Sequence, residues 1–199
     1  SSQTGSGKTL AYLLPAITKI LQEKAKILVL VPTRELAVQV CTALNKTTGR
    51  IKISGSAVIG GESFGKQVSK LMTKPDMIVA TPGRLIDHLT RKTVNLSEFR
   101  YLVLDEMDRM LDMGMKEQID QINNYLPITR QVLMFSATMP NHIVEASRKY
   151  LNNPHKITIG KLNKAAPEID QQFIDVKEEF KYIELDNQLS SNCLLYTSP

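Results

Sequence analysis

The stretch Ile27-Leu28-Val29-Leu30-Val31-Pro32-Thr33-Arg34-Glu35-Leu36-Ala37 changes its periodicity at Pro32. Before the proline every residue is apolar. A continuous run of that kind suits a strand buried on both faces of a parallel sheet, because neither face meets water. After the proline, Leu36, Val40 and Leu44 recur at helical spacing through residues 34–44. The same alternation extends in both directions. Apolar runs at residues 56–59, 77–80, 101–104, 132–135 and 156–159 predict further strands. Residues 8–22 predict a helix with Leu10, Leu13, Leu14, Ile17 and Leu21 on one stripe, and residues 117–126 and 143–151 predict two more. Strand alternating with helix gives an α/β fold: a doubly wound, mainly parallel sheet with helices on both faces. Ligands of such sheets bind beyond the carboxyl ends of the strands. A motif that carries chemistry should therefore follow an apolar run.

Composition sets the outer bounds. The 199 residues are 42% hydrophobic and 23% charged, ordinary for a globular chain. The length suits one domain of about 150 residues with further chain attached. No apolar run approaches the roughly 18 residues of a membrane span. The polar start, Ser1 to Thr9, does not read as a signal peptide. A formal charge of +5 fits a polyanionic partner. Cys41 and Cys193 have neither metal nor disulfide spacing. They imply a reducing compartment, cytoplasmic, or nuclear in a eukaryote. His88, His142 and His155 are scattered and propose no zinc site.

Two motifs point to phosphate chemistry. Thr4-Gly5-Ser6-Gly7-Lys8-Thr9 resembles a phosphate-binding loop. Its glycines let backbone N–H groups turn inward on phosphate oxygens, and the helix behind aims its positive dipole end at the same anion. Lys8 would reach the β- and γ-phosphates and the Thr9 hydroxyl would ligate Mg²⁺. The general pattern has its first glycine where Ser2 stands, and the bland alternative is a Gly/Ser turn capping a helix. Asp105-Glu106-Met107-Asp108 follows the run at 101–104. Asp105 would hold Mg²⁺, partly through water. Glu106 would position and deprotonate an attacking water. A solvated acidic turn is the alternative.

The ordered set of motifs is more specific than either piece. Residues 2–9 resemble motif I of the DEAD-box family of superfamily 2 RNA helicases. Pro32-Thr33-Arg34-Glu35-Leu36-Ala37 resembles motif Ia, Gly60-Gly61 the paired glycines, and Thr81-Pro82-Gly83-Arg84 motif Ib. Asp105-Glu106-Met107-Asp108 resembles motif II, with Met107 where the family name has Ala, and Ser136-Ala137-Thr138 resembles motif III. The resemblance implies a RecA-like lobe that binds ATP and Mg²⁺, with Lys8, Asp105 and Glu106 catalytic. It implies a grip on the RNA backbone through Pro32, Thr33, Arg34, Gly61, Thr81, Pro82, Gly83 and Arg84. It also implies coupling of motif II to motif III through Asp108, Ser136 and Thr138, whose hydroxyls can reach the Asp108 carboxylate. Met107, bulkier than Ala, is expected to alter packing near the phosphate without abolishing activity.

The same comparison divides the chain. Residues 1–160 are expected to form the ATP-binding lobe, 161–168 a linker and 169–189 the start of a second helicase lobe. Residues 190–199 form an atypical tail. The strand that feeds the phosphate loop, the upstream adenine-reading motif and most of the second lobe are expected outside this sequence, so the piece alone should hydrolyse ATP poorly. The expected partners are RNA, with little sequence preference, and that second lobe; no membrane is implied. The alternatives are a non-catalytic RNA-binding lobe acting as a competitor, and a phosphate-loop ATPase that works on DNA or protein.

Overall fold

The computed structural model describes residues 7–49, 51–159 and 174–191. The chain divides into two compact units, at residue 164. The first is built on a five-stranded sheet in the order β2-β3-β1-β4-β5. Its strands are β1 (Lys26–Leu30), β2 (Gly55–Val58), β3 (Met77–Ala80), β4 (Phe99–Leu104) and β5 (Gln131–Met134). Every pairing is parallel. The helices between them are α1 (Lys8–Glu23), α2 (Arg34–Thr48), α3 (Phe64–Met72), α4 (Pro82–Thr90), α5 (Met107–Asp112), α6 (Lys116–Asn124) and α7 (Asn141–Tyr150).

The unbroken apolar runs have a direct cause. Along β1, Leu28 and Leu30 join one cluster with Leu85, Leu89, Ile119, Ile122 and Ile143, while Ile27 and Val29 join another with Leu13, Ile17, Val40 and Leu44. Successive strand residues point to opposite faces, so a strand covered on both sides has no position left for a polar residue. Helices α1 and α2 cover one face; α3 to α7 contribute to the other. Local signals start the helices. Thr33 caps α2, its hydroxyl oxygen accepting the Leu36 N–H at 3.2 Å. Pro82 occupies the first turn of α4, where its missing N–H costs nothing.

Two expectations are corrected. Residues 156–159 form no strand and are exposed. Their alternation is genuine, but they are not among the five strands of the sheet, and alternation alone does not make a ladder. The buried stripe of α1 is Tyr12, Leu13, Ala16, Ile17 and Ile20; Leu10, Leu14 and Leu21 are about half exposed. The helix is apolar around most of its girth, so periodicity alone does not choose between two adjacent stripes. The sequence reading does not predict helix α3, although Phe64, Val68, Leu71 and Met72 recur at helical spacing.

The strand order reverses at one place. From β1 the chain passes to β2 and β3 on one side, then to β4 and β5 on the other. The β1/β4 boundary is thus the topological switch point, where doubly wound sheets open a crevice at their carboxyl ends. In the second unit, residues 178–180 form a 3₁₀ turn and Lys181–Ser191 forms α8. Residues 174–177 carry no strand, and residues 160–173 and 192–199 lie outside the described part. No described helix is long and apolar enough to cross a membrane.

Candidate functional site

All five motifs that the structure describes beyond a strand emerge from the carboxyl edge of the sheet. They are locked to one another by backbone hydrogen bonds running one residue past each strand. Thr81 N–H donates to Val58 O, Val31 N–H to Ala80 O, Asp105 N–H to Leu30 O and Phe135 N–H to Leu104 O, at 2.8–3.1 Å. The edge has two halves. Motif II follows β4 and motif III follows β5; motif Ia, the paired glycines and motif Ib follow β1, β2 and β3.

At the β4 end, Asp105 is almost fully buried. Tyr12 donates its hydroxyl to Oδ2 at 2.9 Å, and the Glu106 N–H donates to Oδ1 at 3.0 Å. Burial raises the Asp105 pKa; the Tyr12 hydrogen bond, the Glu106 amide and the nearby Lys8 ammonium pull the other way. Burial and the adjacent carboxylate push the Tyr12 phenol up, so it stays a donor. Tyr12 is a residue of the candidate site that the sequence reading missed. The available signal was a hydroxyl on the apolar face of the helix behind the phosphate loop. Gly7, left-handed at φ 80°, opens that helix, and Lys8 and Thr9 form its first turn. Thr4, Gly5 and Ser6 lie outside the described residues.

Glu106 adopts φ 51° and ψ 51°. This left-handed conformation costs a residue with a Cβ about 1–2 kcal/mol. It is held by neighbours: Met107 N–H donates to Phe135 O and Met110 N–H to Glu106 O. The Glu106 carboxylate meets Arg109 Nη1 at 3.3 Å. Met107 does not face the phosphate side. It is fully buried in the cluster with Met110, Ile119 and Ile143, so its size is accommodated in the core, and the expectation that it alters packing beside the phosphate is corrected.

Motif II and motif III are joined through Asp108. Its Oδ2 accepts from Ala137 N–H at 3.1 Å, Thr138 N–H at 2.9 Å and the Thr138 hydroxyl at 2.9 Å, and its Oδ1 from Arg109 N–H at 3.1 Å. Burial alone would raise this carboxyl; the Thr138 and Arg109 donors overcome that and hold it below the usual value. The buried Ser136 hydroxyl lies near enough to the Asp108 carboxylate to help lower its pKa, but it is off-line for a full hydrogen bond, and the Ala137 amide makes one beside it.

On the other half, Arg34 is exposed and lies flat over the paired glycines. A Cβ on Gly61 would come within 2.1 Å of Arg34 Nη1, and Gly61 is left-handed at φ 78°. Both facts require glycine there. The Arg34 guanidinium makes no hydrogen bond to a described residue. Thr33 spends its oxygen as the α2 cap but keeps its hydroxyl hydrogen. Pro32 is buried beneath them. Thr81, Pro82 and Gly83 open α4, and a Cβ on Gly83 would meet Gln118 Oε1 at 3.7 Å, an ordinary contact. Arg84 is committed elsewhere: Nε donates to Ile59 O at 3.1 Å and Nη2 to Glu62 O at 2.9 Å. It braces the glycine loop from below, which leaves it fewer donors for a phosphate than the sequence reading gave it.

A family model described as DEAD/DEAH box helicase matches residues 1–146. The chain belongs to the DEAD/DEAH box helicase family. It is 45% identical to the ATP-dependent RNA helicase DBP2 of Candida albicans, over 89% of this chain and 33% of that protein. It is 40% identical to the ATP-dependent RNA helicase DbpA of Bacillus subtilis, over 98% of this chain and 42% of that protein. The chain thus spans well under half the length of these DEAD-box relatives. A crystal structure of a hypothetical ATP-dependent RNA helicase from Sulfolobus tokodaii superposes with a TM-score of 0.70 at 34% identity, covering 77% of this chain and 45% of that one. This supports the RecA-like reading of the lobe.

Three outcomes follow from the helicase-lobe geometry. Glu106→Gly should unfold at higher urea than Glu106→Ala, by about 1 kcal/mol, because only glycine relieves the left-handed strain while both lose the carboxylate; equal stabilities would contradict the strain. Asp108→Asn should cost about 2 kcal/mol at neutral pH. A depressed folded pKa contributes stability that is present above the unfolded value of about 3.9 and lost as pH falls through the folded one. The gap between parent and Asp108→Asn should therefore close on acidification. Met107→Ala should cost about 2–5 kcal/mol by urea denaturation and leave ATP turnover of the full-length protein within tenfold of the parent.

Proposed function

We propose that this lobe binds Mg–ATP at the β1/β4 switch point and the sugar-phosphate backbone of RNA along the ends of β1, β2 and β3. In the complete protein it would couple ATP hydrolysis to remodelling of RNA duplexes. The observation that carries the reading is the division of one sheet edge into two halves of different chemistry, joined by a shared backbone ladder. One half presents the buried carboxylate of Asp105, with Lys8, Thr9 and Glu106. The other presents guanidinium and hydroxyl donors on Arg34 and Thr33 above close-approach glycine backbone, the groups that suit phosphate without reading bases.

The donor set fits a magnesium ion carried in with a nucleotide. No group of three or more His, Cys, Asp or Glu among the described residues would hold a metal. Mg²⁺ at kinase- and ATPase-type sites takes one or two carboxylates and draws the rest of its shell from phosphate and water. Asp105 and Thr9 would supply the protein's share. When bound, the ion would neutralise charge on the phosphate oxygens. Lys8 would hold the terminal phosphates, and Glu106 would orient an attacking water and take its proton. Tyr12 keeps Asp105 pointed at the crevice. Asp108, fixed to Thr138, would pass a shift of motif II to the β5 end.

The test is ATP turnover by the full-length protein that carries this lobe, with and without single-stranded RNA, beside Glu106→Gln. The reading expects RNA-stimulated turnover that falls at least 100-fold in Glu106→Gln while RNA binding persists. RNA binding with no turnover in the parent would instead favour a non-catalytic RNA-binding lobe. Turnover indifferent to RNA and stimulated by DNA or a protein would sink the RNA assignment.

A further inference from the structure

Gln67 on α3 and His88 on α4 are fully buried polar side chains that the proposed chemistry leaves unused. Buried amide and imidazole groups are costly unless their polar atoms are matched. Here they are matched in series. Thr93 Oγ1 lies 2.7 Å from His88 Nδ1, His88 Nε2 lies 3.1 Å from Gln67 Oε1, and Gln67 Nε2 donates to Ile59 O at 2.7 Å. The Gln67 nitrogen is spent on a carbonyl, so its oxygen faces the imidazole and His88 Nε2 carries the proton. Burial, reinforced by the Arg84 and Arg91 cations and opposed by Asp87, lowers the His88 pKa. The ring is therefore neutral, and its Nδ1 faces the Thr93 hydroxyl, whose single proton is shared between that nitrogen and the His88 carbonyl oxygen 3.1 Å away. From His88 through Gln67 to Ile59 the donors point one way, and the bonds of such a chain polarise one another.

The chain ends at an informative atom. Ile59 immediately precedes Gly60-Gly61, and its carbonyl also accepts from Arg84 Nε at 3.1 Å. A carbonyl has two lone pairs, and both are filled, one by Gln67 from α3 and one by Arg84 from α4. Phe64, on the loop's far side, stacks on the His88 ring at 4.2 Å and 10°, and the Arg91 guanidinium lies 4.6 Å from the Phe64 centroid. The point where β2 gives way to the glycine loop is therefore fixed from below by α3 and α4. The loop's upper surface is the one under Arg34, where a side chain on Gly61 would clash. A displacement of Ile59 would carry Gly60-Gly61 with it and change that contact.

We infer that Gln67 and His88 are positioning residues for the RNA grip: they set the height of the Gly60-Gly61 loop against Arg34 and so the affinity for an RNA backbone. This rests on the RNA reading above. A network that merely stabilised the fold would alter melting and both ligand affinities together, or neither affinity.

The experiment uses the full-length protein and its Gln67→Met, His88→Leu, His88→Gln and Arg34→Ala variants. Gln67→Met is nearly isosteric and removes both the donor to Ile59 and the acceptor facing His88 Nε2. His88→Gln restores a donor where Nε2 stands, and His88→Leu does not. The readouts are binding of fluorescein-labelled decauridylate in the presence of a non-hydrolysable ATP analogue, binding of that analogue alone, and hydrogen exchange of the peptide covering residues 59–64. Gln67→Met and His88→Leu should each weaken RNA about tenfold, leave the nucleotide affinity within twofold and speed exchange in the 59–64 peptide. His88→Gln should recover most of the RNA affinity, and the double variant Gln67→Met/His88→Leu should be no weaker than either single one, because both break one chain. Arg34→Ala that weakens RNA while Gln67→Met leaves it unchanged would overturn the positioning role alone. RNA affinity insensitive to Arg34→Ala would overturn the RNA reading and this inference with it. RNA and nucleotide affinities that fall together would reduce the network to a structural one.

Discussion

Four backbone hydrogen bonds, each made one residue past the end of a strand, hold the functional edge together. Val58 carries Thr81, Ala80 carries Val31, Leu30 carries Asp105 and Leu104 carries Phe135. Each bond continues the parallel ladder into a loop that otherwise has no regular structure. Buried backbone groups must be paired, so the chain has little freedom where motifs Ib and II begin, at Thr81 and Asp105, and just before motifs Ia and III, at Val31 and Phe135. The loops of motifs Ia, Ib, II and III and of the paired glycines are thereby registered against one another before any side chain is considered. The apolar strands matter to function through this edge: they fix the sheet, and the sheet fixes the loops.

Side chains then divide the labour. Near the switch point Asp105 is buried and held by Tyr12 and the Glu106 amide, while part-buried Asp108 takes three donors on one oxygen. That arrangement suits a ligand bringing its own charge and metal. Beyond it Arg34 is exposed over the paired glycines, and the inward polar groups serve as braces. Glu106 belongs to the first half and bears its strain, a left-handed residue where the chain turns sharply from strand to helix. Strain of that kind persists only where surrounding bonds over-determine the backbone, and the Phe135 and Met110 bonds do so here.

Much of this was legible in the sequence. Strand runs at 27–31, 77–80 and 101–104 stand out because burial on two faces excludes polar residues, and the motif order then locates the edge. Other features were not legible, for identifiable reasons. Residues 156–159 alternate like a strand, but pairing is a property of neighbours. The stripes of α1 were ambiguous because both are apolar; the hydroxyl of Tyr12 finding Asp105, 93 positions away, marks the buried one. Met107 looked like a site residue from its place in the motif, yet the first turn of α5 points it into the core. Arg84 and Arg34 are the same residue type in similar motifs, and only the carbonyls of Ile59 and Glu62 distinguish brace from contact. The Thr93–His88–Gln67 relay joins residues from two helices and a loop, and no spacing announces it.

The division of the edge into two ligand halves is tested most directly by hydrogen exchange of the full-length protein with a non-hydrolysable Mg–ATP analogue alone, single-stranded RNA alone, and both. Nucleotide alone should protect amides at residues 7–9 and 105–107, and RNA alone those at 33–36, 60–62 and 81–84, with protection at 136–138 appearing when both are bound. Protection of the same segments by either ligand, or RNA protection confined to the ends of β4 and β5, would contradict the account.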